Sequence, residues 1–243
     1  MKISSPATPY GRASIGATLL FLLVAAAALA IFLMDLSTRG GPLYLKLLRE
    51  DGVVERLTAG LLFLAALISL VALLKLPEPL RWARLFLALF AIFSGLMALE
   101  EISWGQRALQ IEPGAFWQGY SDQKETNVHN VVQHYLRSNN YLLTTTRKIA
   151  AVVLLIYGVV FPLLNACKGP RALFRKLLLV VPPPALALGF LLGALLAWFD
   201  WPTGSEEEIG ELFFALCFAL FVPLWLLQQR YDRADECRTE SRI

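Results

Sequence analysis

The groups able to do acid-base or metal chemistry concentrate in one stretch. Glu100-Glu101-Ile102-Ser103-Trp104-Gly105-Gln106-Arg107 is followed by Gln123-Lys124-Glu125-Thr126-Asn127-Val128-His129-Asn130-Val131-Val132-Gln133-His134, and both histidines of the chain lie there. Glu100, Glu101, Glu125, His129 and His134 offer oxygen and nitrogen ligands of the kind that suits a divalent metal, zinc, iron or manganese. A metal with one position left for water would lower the pKa of that water toward about 7. The spacing is no strong signature. Glu125-x-x-x-His129 differs from the Glu-x-x-His of di-iron bundles and from the His-Glu-x-x-His of zinc proteases, so the metal expectation rests on clustering alone.

Without a metal, His129 is the candidate general base, oriented by Glu125 or Glu101, with an ordinary pKa of about 6.5. That makes Glu101, His129 and Glu125 the candidate catalytic residues. Ser103 is the nearby hydroxyl nucleophile, with Ser121 and Thr126 behind it. Arg107 suits an anionic headgroup, and Trp104, Gln106 and Asn130 complete the candidate substrate-binding set. The same residues admit a plainer reading. Gln106, Arg107, Asn127, Asn130 and Gln133 can pair with Glu100, Glu101 and Glu125 as a satisfied polar network that holds a cap onto the rest of the chain.

The elements that position this stretch belong to a membrane protein. Hydrophobic residues make up 57% of the chain and charged ones 17%, and mean hydropathy is positive, which is too apolar for a soluble domain of this length. A net charge of +3 argues for membrane orientation and gives no reason to propose nucleic acid. The three cysteines, Cys167, Cys217 and Cys237, are widely spaced and show no disulfide or zinc pattern. Apolar runs at 13–34, 54–75, 80–99, 149–167, 177–199 and 208–228 each approach the roughly 20 helical residues that cross a bilayer. The run at 13–34 is too long for a signal peptide and reads as an uncleaved span.

The fold class is therefore all-α: a polytopic membrane protein with about six transmembrane helices in residues 1–230 and an extracytoplasmic cap between helices 3 and 4, about 100–148. Residues 231–243 read as a mixed-charge, disordered cytoplasmic tail. Lys and Arg collect around Lys75 and Arg81, around Lys168 and Arg171, and after Arg230, which places both termini in the cytoplasm and the 100–134 stretch outside. Residues 35–53 predict a short interfacial helix ended by Gly52. Glu50, Asp51 and Glu55 then stand at the rim of the outer site, or Glu55 simply complements a helix dipole. Lys75-Leu76-Pro77-Glu78-Pro79 is a tight turn. The third helix predicts no break before Gly105, which would put Glu100, Ser103, Trp104 and Arg107 on one face. Residues 125–136 predict a helix with Glu125, His129 and Gln133 in register. Phe116, Trp117 and Tyr120 are interfacial aromatics.

Pro182-Pro183-Pro184 should bend the fifth helix. Its small residues Ala185, Gly189, Gly193 and Ala197 admit a close helix neighbour, inside the chain or in a second copy. Ser205 to Glu208 has a capping-box arrangement that starts the sixth helix, with Asp200, Glu207 and Glu211 opening toward the central motif.

Glu50-Asp51-Gly52 with Glu55, then Glu100-Glu101-x-Ser103-Trp104-Gly105-Gln106-Arg107, then Gln123-x-Glu125-Thr126-Asn127-x-His129-Asn130 resemble the pattern of an uncharacterised family of bacterial multi-pass inner-membrane proteins. The resemblance spans residues 45 to 135. It implies a bacterial inner (plasma) membrane location and no particular reaction. Membrane hydrolases built on Ser, Asp and three His, such as alkaline ceramidases, match less well, since this chain has two histidines and none near its C-terminus.

Two functions follow. The first is a metal-dependent hydrolase or transferase acting on a membrane lipid or lipid-linked substrate at the extracytoplasmic face. The second is a non-enzymatic membrane protein in which the motif is a structural polar network: a subunit docking a membrane protein partner or a second copy of itself, or a small transporter linked to an ion or proton. Nearly apolar helix centres argue against a central pathway.

Overall fold

A protein whose helices are apolar on every side has two ways to satisfy its backbone, and this chain takes the helical one throughout: among the described residues there is no strand. The structure is a computed structural model that describes residues 8–37, 42–48, 52–76, 81–121, 124–139, 145–199 and 206–240. Glu50, Asp51, the Pro77–Pro79 turn, Gln123, Asp200 and the Ser205 cap fall outside them.

Five helical stretches are long and apolar enough to cross a membrane. They are α1 (Pro9–Ser37), α3 (Val53–Lys75), α4 (Arg81–Glu101), the composite stretch Thr146–Asn165, and α12 (Glu206–Glu240), whose apolar part ends at Tyr231. The protein is thus an all-α polytopic membrane protein. α12 is the centre. α1, α3 and the shorter α11 (Ala187–Trp198) pack around it, while α4 packs on α3. Phe221 on α12 is fully buried, whereas Leu23 on α1 is 66% exposed. Such outward leucines are what a lipid-facing helix presents.

Proline decides where the remaining segments depart from regular spans. The fifth run, expected over 177–199, is non-helical through residues 179–183 and becomes helical only at Pro184–Trp198. Pro182, Pro183 and Pro184 lack the N–H that an α-helix needs and clash with the preceding turn, so the helix starts where the prolines end. In the fourth run, α8 (Thr146–Leu155) passes through a wider π turn at Ile156–Val160 into α9 (Phe161–Asn165), with Phe161 N–H bonding to Ile156 O. Pro162 there cannot donate to the turn before it. α10 (Lys168–Lys176) follows as a short basic helix.

The small-residue stripe is used inside the chain. A Cβ added at Gly193 would lie 2.9 Å from Gly210 O, and one at Gly210 would lie 3.0 Å from Gly193 O. α11 and α12 therefore cross backbone to backbone. The expected disordered tail is instead helical to Glu240. No glycine or proline interrupts the chain after Pro223, so nothing stops α12.

One end of the bundle carries the polar residues. The first turns of α3, α8 and α12 and the last turn of α4 meet there, joined by a cap made of α5 (Gln106–Leu109), α6 (Ala115–Tyr120) and α7 (Val128–Ser138). The short helix α2 (Pro42–Leu48) lies at the same end, its Tyr44 buried against Phe32 with ring centroids 5.3 Å apart. Gly52 is the extended residue that precedes α3.

Candidate functional site

The chain leaves α4 sooner than its composition predicts. The helix stops at Glu101, and Ser103, Trp104 and Gly105 take positive φ angles of 46°, 56° and 76°. Left-handed backbone is ordinary for Gly105 but costly for Ser103 and Trp104, so surrounding contacts must hold them. Those contacts are the motif. The Ser103 hydroxyl donates to Glu125 Oε2 at 2.6 Å and accepts from Arg107 Nη2 at 3.2 Å. Arg107 also reaches Glu55 Oε1 at 3.1 Å, Glu125 Oε1 through Nε at 3.1 Å and Glu125 Oε2 at 3.2 Å. One guanidinium thus joins α3 to the cap through two carboxylates, the fork geometry that arginine supplies and lysine does not.

Glu100 does a second joining. Its Oε1 accepts from the Trp104 indole at 2.7 Å, and its Oε2 accepts from the amides of Val128 at 2.8 Å and His129 at 3.2 Å. Those amides open α7, where the unpaired N–H groups and the helix dipole favour a negative charge. Asn127 completes the cap of α7, its Oδ1 accepting from the His129 amide at 3.1 Å while its side-chain amide donates to Glu100 O at 2.9 Å. Gln106 Oε1 accepts from the Thr126 amide at 2.7 Å. At the far side of α7, Gln133 Oε1 accepts from the Thr146 amide at 2.9 Å and fastens the cap to α8.

α7 begins after Glu125, so the expected row of Glu125, His129 and Gln133 on one helical face does not form. Glu125 turns to Arg107 and Ser103 instead, because Asn127 is the residue that starts the helix. His129 Nδ1 lies 3.9 Å from Glu100 Oε2, with half of the side chain exposed. Protein packed around the ring disfavours the cation and holds its pKa below the ordinary 6.5, with Glu100 and Glu125 opposing. His134 is five positions on, a turn of about 140° on an α-helix, and so leaves the His129 face. Asn130 is buried behind them.

Glu101 looks the other way. It lies within electrostatic reach of Glu211 and Glu208 on α12 and of Glu55 and Glu100. Glu211 in turn feels Arg147, on α8, and Glu55. Arg147 is paired with Glu207. At the edge of this group Tyr44 hydrogen-bonds Glu206, and Glu206 is buried with its Oε2 lacking any partner among the described residues. Burial, then the Glu206 charge and hydrogen bond, raise the Tyr44 pKa.

The catalytic and metal candidates divide between these two arrangements. Glu125, His129 and Glu100 belong to the first, Glu101 to the second. Among the described residues no group of three or more His, Cys, Asp or Glu side chains is placed to hold a metal. The donor set also fits one poorly, since both oxygens of Glu100 and of Glu125 are engaged by N–H and O–H donors. Ser103 is fully buried and gives its proton to a carboxylate rather than to an imidazole, which does not suit a nucleophile. The candidate substrate residues Arg107, Gln106 and Asn130 sit inside the network, while Trp104 stays 43% exposed at its edge. Arg147 and Tyr44 escaped the sequence reading. Arg147 carried a usable signal, a charge in the first turn of an apolar span.

Comparison of the chain with protein-family models, with curated proteins and with solved structures finds no match.

Proposed function

We propose that the protein is a non-enzymatic, proton-linked membrane protein in which the 100–134 motif is a structural clasp. The carboxylates Glu101, Glu208 and Glu211 beside it hold the exchangeable proton, next to Glu55, which Arg107 ties into the clasp. The observation that carries this reading is the gathering of carboxylates from α3, α4 and α12 at the polar end. Glu101 lies within electrostatic reach of Glu211, Glu208 and Glu55, and Glu211 within reach of Glu55 and of Arg147, which also pairs with Glu207. Carboxylates crowded at membrane depth are costly unless a cation, a proton included, joins them. The lysine and arginine clusters support an orientation with this end outside and both termini inside, and the resemblance at residues 45 to 135 supports a bacterial inner membrane.

The hydrolase or transferase reading has less support, because its base, nucleophile and metal ligands are mostly occupied by one another. A partner that docks on the cap is compatible with the clasp but draws on no feature of the carboxylates.

Proteoliposomes and infrared spectroscopy test the proposal together. A protonated carboxylic acid gives a carbonyl stretch that shifts on exchange into deuterated water. That band should be present in the wild type and diminished in Glu101→Gln and Glu211→Gln, with proton uptake into proteoliposomes lost in parallel. A wild type with neither band nor uptake would sink the proton-linked reading and return attention to a docking role.

A further inference from the structure

The end of the bundle opposite the clasp carries a helix whose two sides differ. α10 contains four cations, Lys168, Arg171, Arg175 and Lys176, and no acidic residue. At about 100° per residue, those four positions fall within a sector of about 140°, while Leu173 and Phe174 fall on the opposite side. Leu177 continues the apolar side, its amide donating to Leu173 O at 2.9 Å. Phe174 is buried against Phe161 of α9, ring centroids 5.1 Å apart, which fixes the side of α10 that meets the bundle. Arg171 and Lys176 are exposed. Arg171 Nε donates to Asn165 O at 2.8 Å, and among the described residues no carboxylate pairs with either cation.

Its place in the chain sets it at the edge of the hydrocarbon. The stretch Thr146–Asn165 starts beside Glu207 at the clasp end, and its 20 residues span about 30 Å, the depth of a bilayer core. α10 begins three residues after that stretch ends. The helix closes at Leu178, which takes a left-handed φ of 56°, while Leu179 N–H bonds to Phe174 O at 3.0 Å. This is a Schellman turn with leucine where glycine is ordinary, a costly choice for an L side chain. Leu173, Leu177, Leu178 and Leu179 are 51%, 57%, 50% and 43% exposed. Four leucines held outward beside four cations suit neither plain water nor plain hydrocarbon.

We propose that α10 with Leu177–Leu179 is a binding element for anionic phospholipid, its cations on the headgroup phosphates and its leucines among the acyl chains. Both sides of the helix are then satisfied by one molecule. A basic amphipathic helix gains from apolar burial and from attraction to anionic headgroups together, and a zwitterionic surface supplies only the first. A soluble acidic partner or free phosphate would answer the cations and leave the leucines in water. The element also reaches the interior. Phe161 stands edge-on to Tyr157, ring centroids 6.0 Å apart, and the Tyr157 hydroxyl donates to Val180 O at 2.9 Å. Bound lipid therefore steadies the non-helical segment from which α11 starts. This inference stands apart from the proton-linked reading, and neither needs the other.

Delipidated protein in mixed micelles, titrated separately with phosphatidylglycerol, phosphatidylcholine and glycerol phosphate, tests the charge side. Phosphatidylglycerol should raise the thermal midpoint and stay bound in native mass spectrometry, and the other two should do neither. Arg171→Gln with Lys176→Gln should weaken phosphatidylglycerol binding by about thirtyfold, and Arg171→Lys with Lys176→Arg should keep it. Circular dichroism and the midpoint in phosphatidylcholine check the fold of each variant. Spin labels test the apolar side in phosphatidylglycerol nanodiscs, in a Cys167→Ser, Cys237→Ser background. A label at Leu178→Cys should relax with dissolved oxygen, and one at Lys176→Cys with a water-soluble nickel chelate. An equal response to the two lipids overturns the proposal, as does binding that the glutamine pair leaves unchanged. A response to glycerol phosphate that matches the lipid reduces the element to an anion site and overturns it too. So does a Leu178 label that the nickel chelate reaches as readily as the Lys176 label, a result that needs no charge variant to fold.

Discussion

Two polar groups share one end of the bundle and differ in how their charges are met. Around Arg107 every acceptor has a donor of its own: Glu125 has the Ser103 hydroxyl and the guanidinium, Glu100 has an indole and the opening amides of α7. Around Glu101 the charges within electrostatic reach are other carboxylates, Glu211, Glu208, Glu55 and Glu100. A network of the first kind fixes geometry, because moving any member strands another. On the proposed function, a group of the second kind is where an exchangeable proton is held. On that reading the residues densest in the sequence build the scaffold, and the carboxylates of α4 and α12 carry the proton.

The largest test of that division removes Arg107. Arg107→Met leaves Glu55 and Glu125 as buried, unpaired carboxylates, 10% and 12% exposed, and should destabilise the fold by about 3–5 kcal/mol. Unfolding in mixed micelles followed by circular dichroism reads it. Adding Glu125→Gln should return part of the loss, since the coupled partner no longer needs a cation. An Arg107→Met protein as stable as the wild type would dissolve the distinction between clasp and carboxylates. Glu100→Ala comes next. It frees the amides that open α7 and the Trp104 indole, at a cost of about 2 kcal/mol, and trypsin should cut the cap at Lys124 or Arg107 faster while the spans stay protected.

The membrane-helical architecture was legible because a helix apolar on every side leaves an unmistakable pattern, and five of the expected spans stand close to where hydropathy placed them. Departures have local causes that hydropathy ignores. Pro182 to Pro184 announced a bend, yet only the packed structure shows the helix absent through residues 179–183. The turn at Ser103 and Trp104 was illegible. Nothing in Glu-Glu-Ile-Ser-Trp marks left-handed backbone, and the bonds that hold it come from Arg107 and Glu125, distant in sequence. Glu125 likewise fitted a helical period that Asn127 overrides by capping α7. The motif was found as a place, and Glu211 was expected to open toward it; the division into two groups was hidden, because Glu208 comes to Glu101, and Arg147 to Glu211, only through tertiary packing.

The second group predicts a change of opposite sign. Glu101→Gln removes one of several like charges and no hydrogen bond in the clasp, so it should stabilise the protein at neutral pH by about 1 kcal/mol while abolishing proton uptake. Stability gained with function lost is what a group kept for chemistry shows. A Glu101→Gln loss as large as that of Arg107→Met would mean that both groups are structural.

The smallest effect sits where the clasp meets solvent, at His129. Its folded pKa is held below 6.5, so the unfolded chain binds more protons in the window between the folded value and 6.5. The stabilising contribution of the neutral ring is then complete above 6.5 and is lost as pH falls through the folded value. His129→Gln should flatten the decline in thermal midpoint on that acid side by less than any change above, the side chain being half exposed. With only two histidines in the chain, imidazole proton resonances assigned through a His134→Gln variant follow the titration directly. Glu125 opposes the depression, so Glu125→Gln should move the His129 midpoint further down, whereas Glu211→Gln, on the carboxylate side, should leave it in place. A midpoint that follows Glu211 as closely as Glu125 would show one electrostatic unit where the hydrogen bonds describe two.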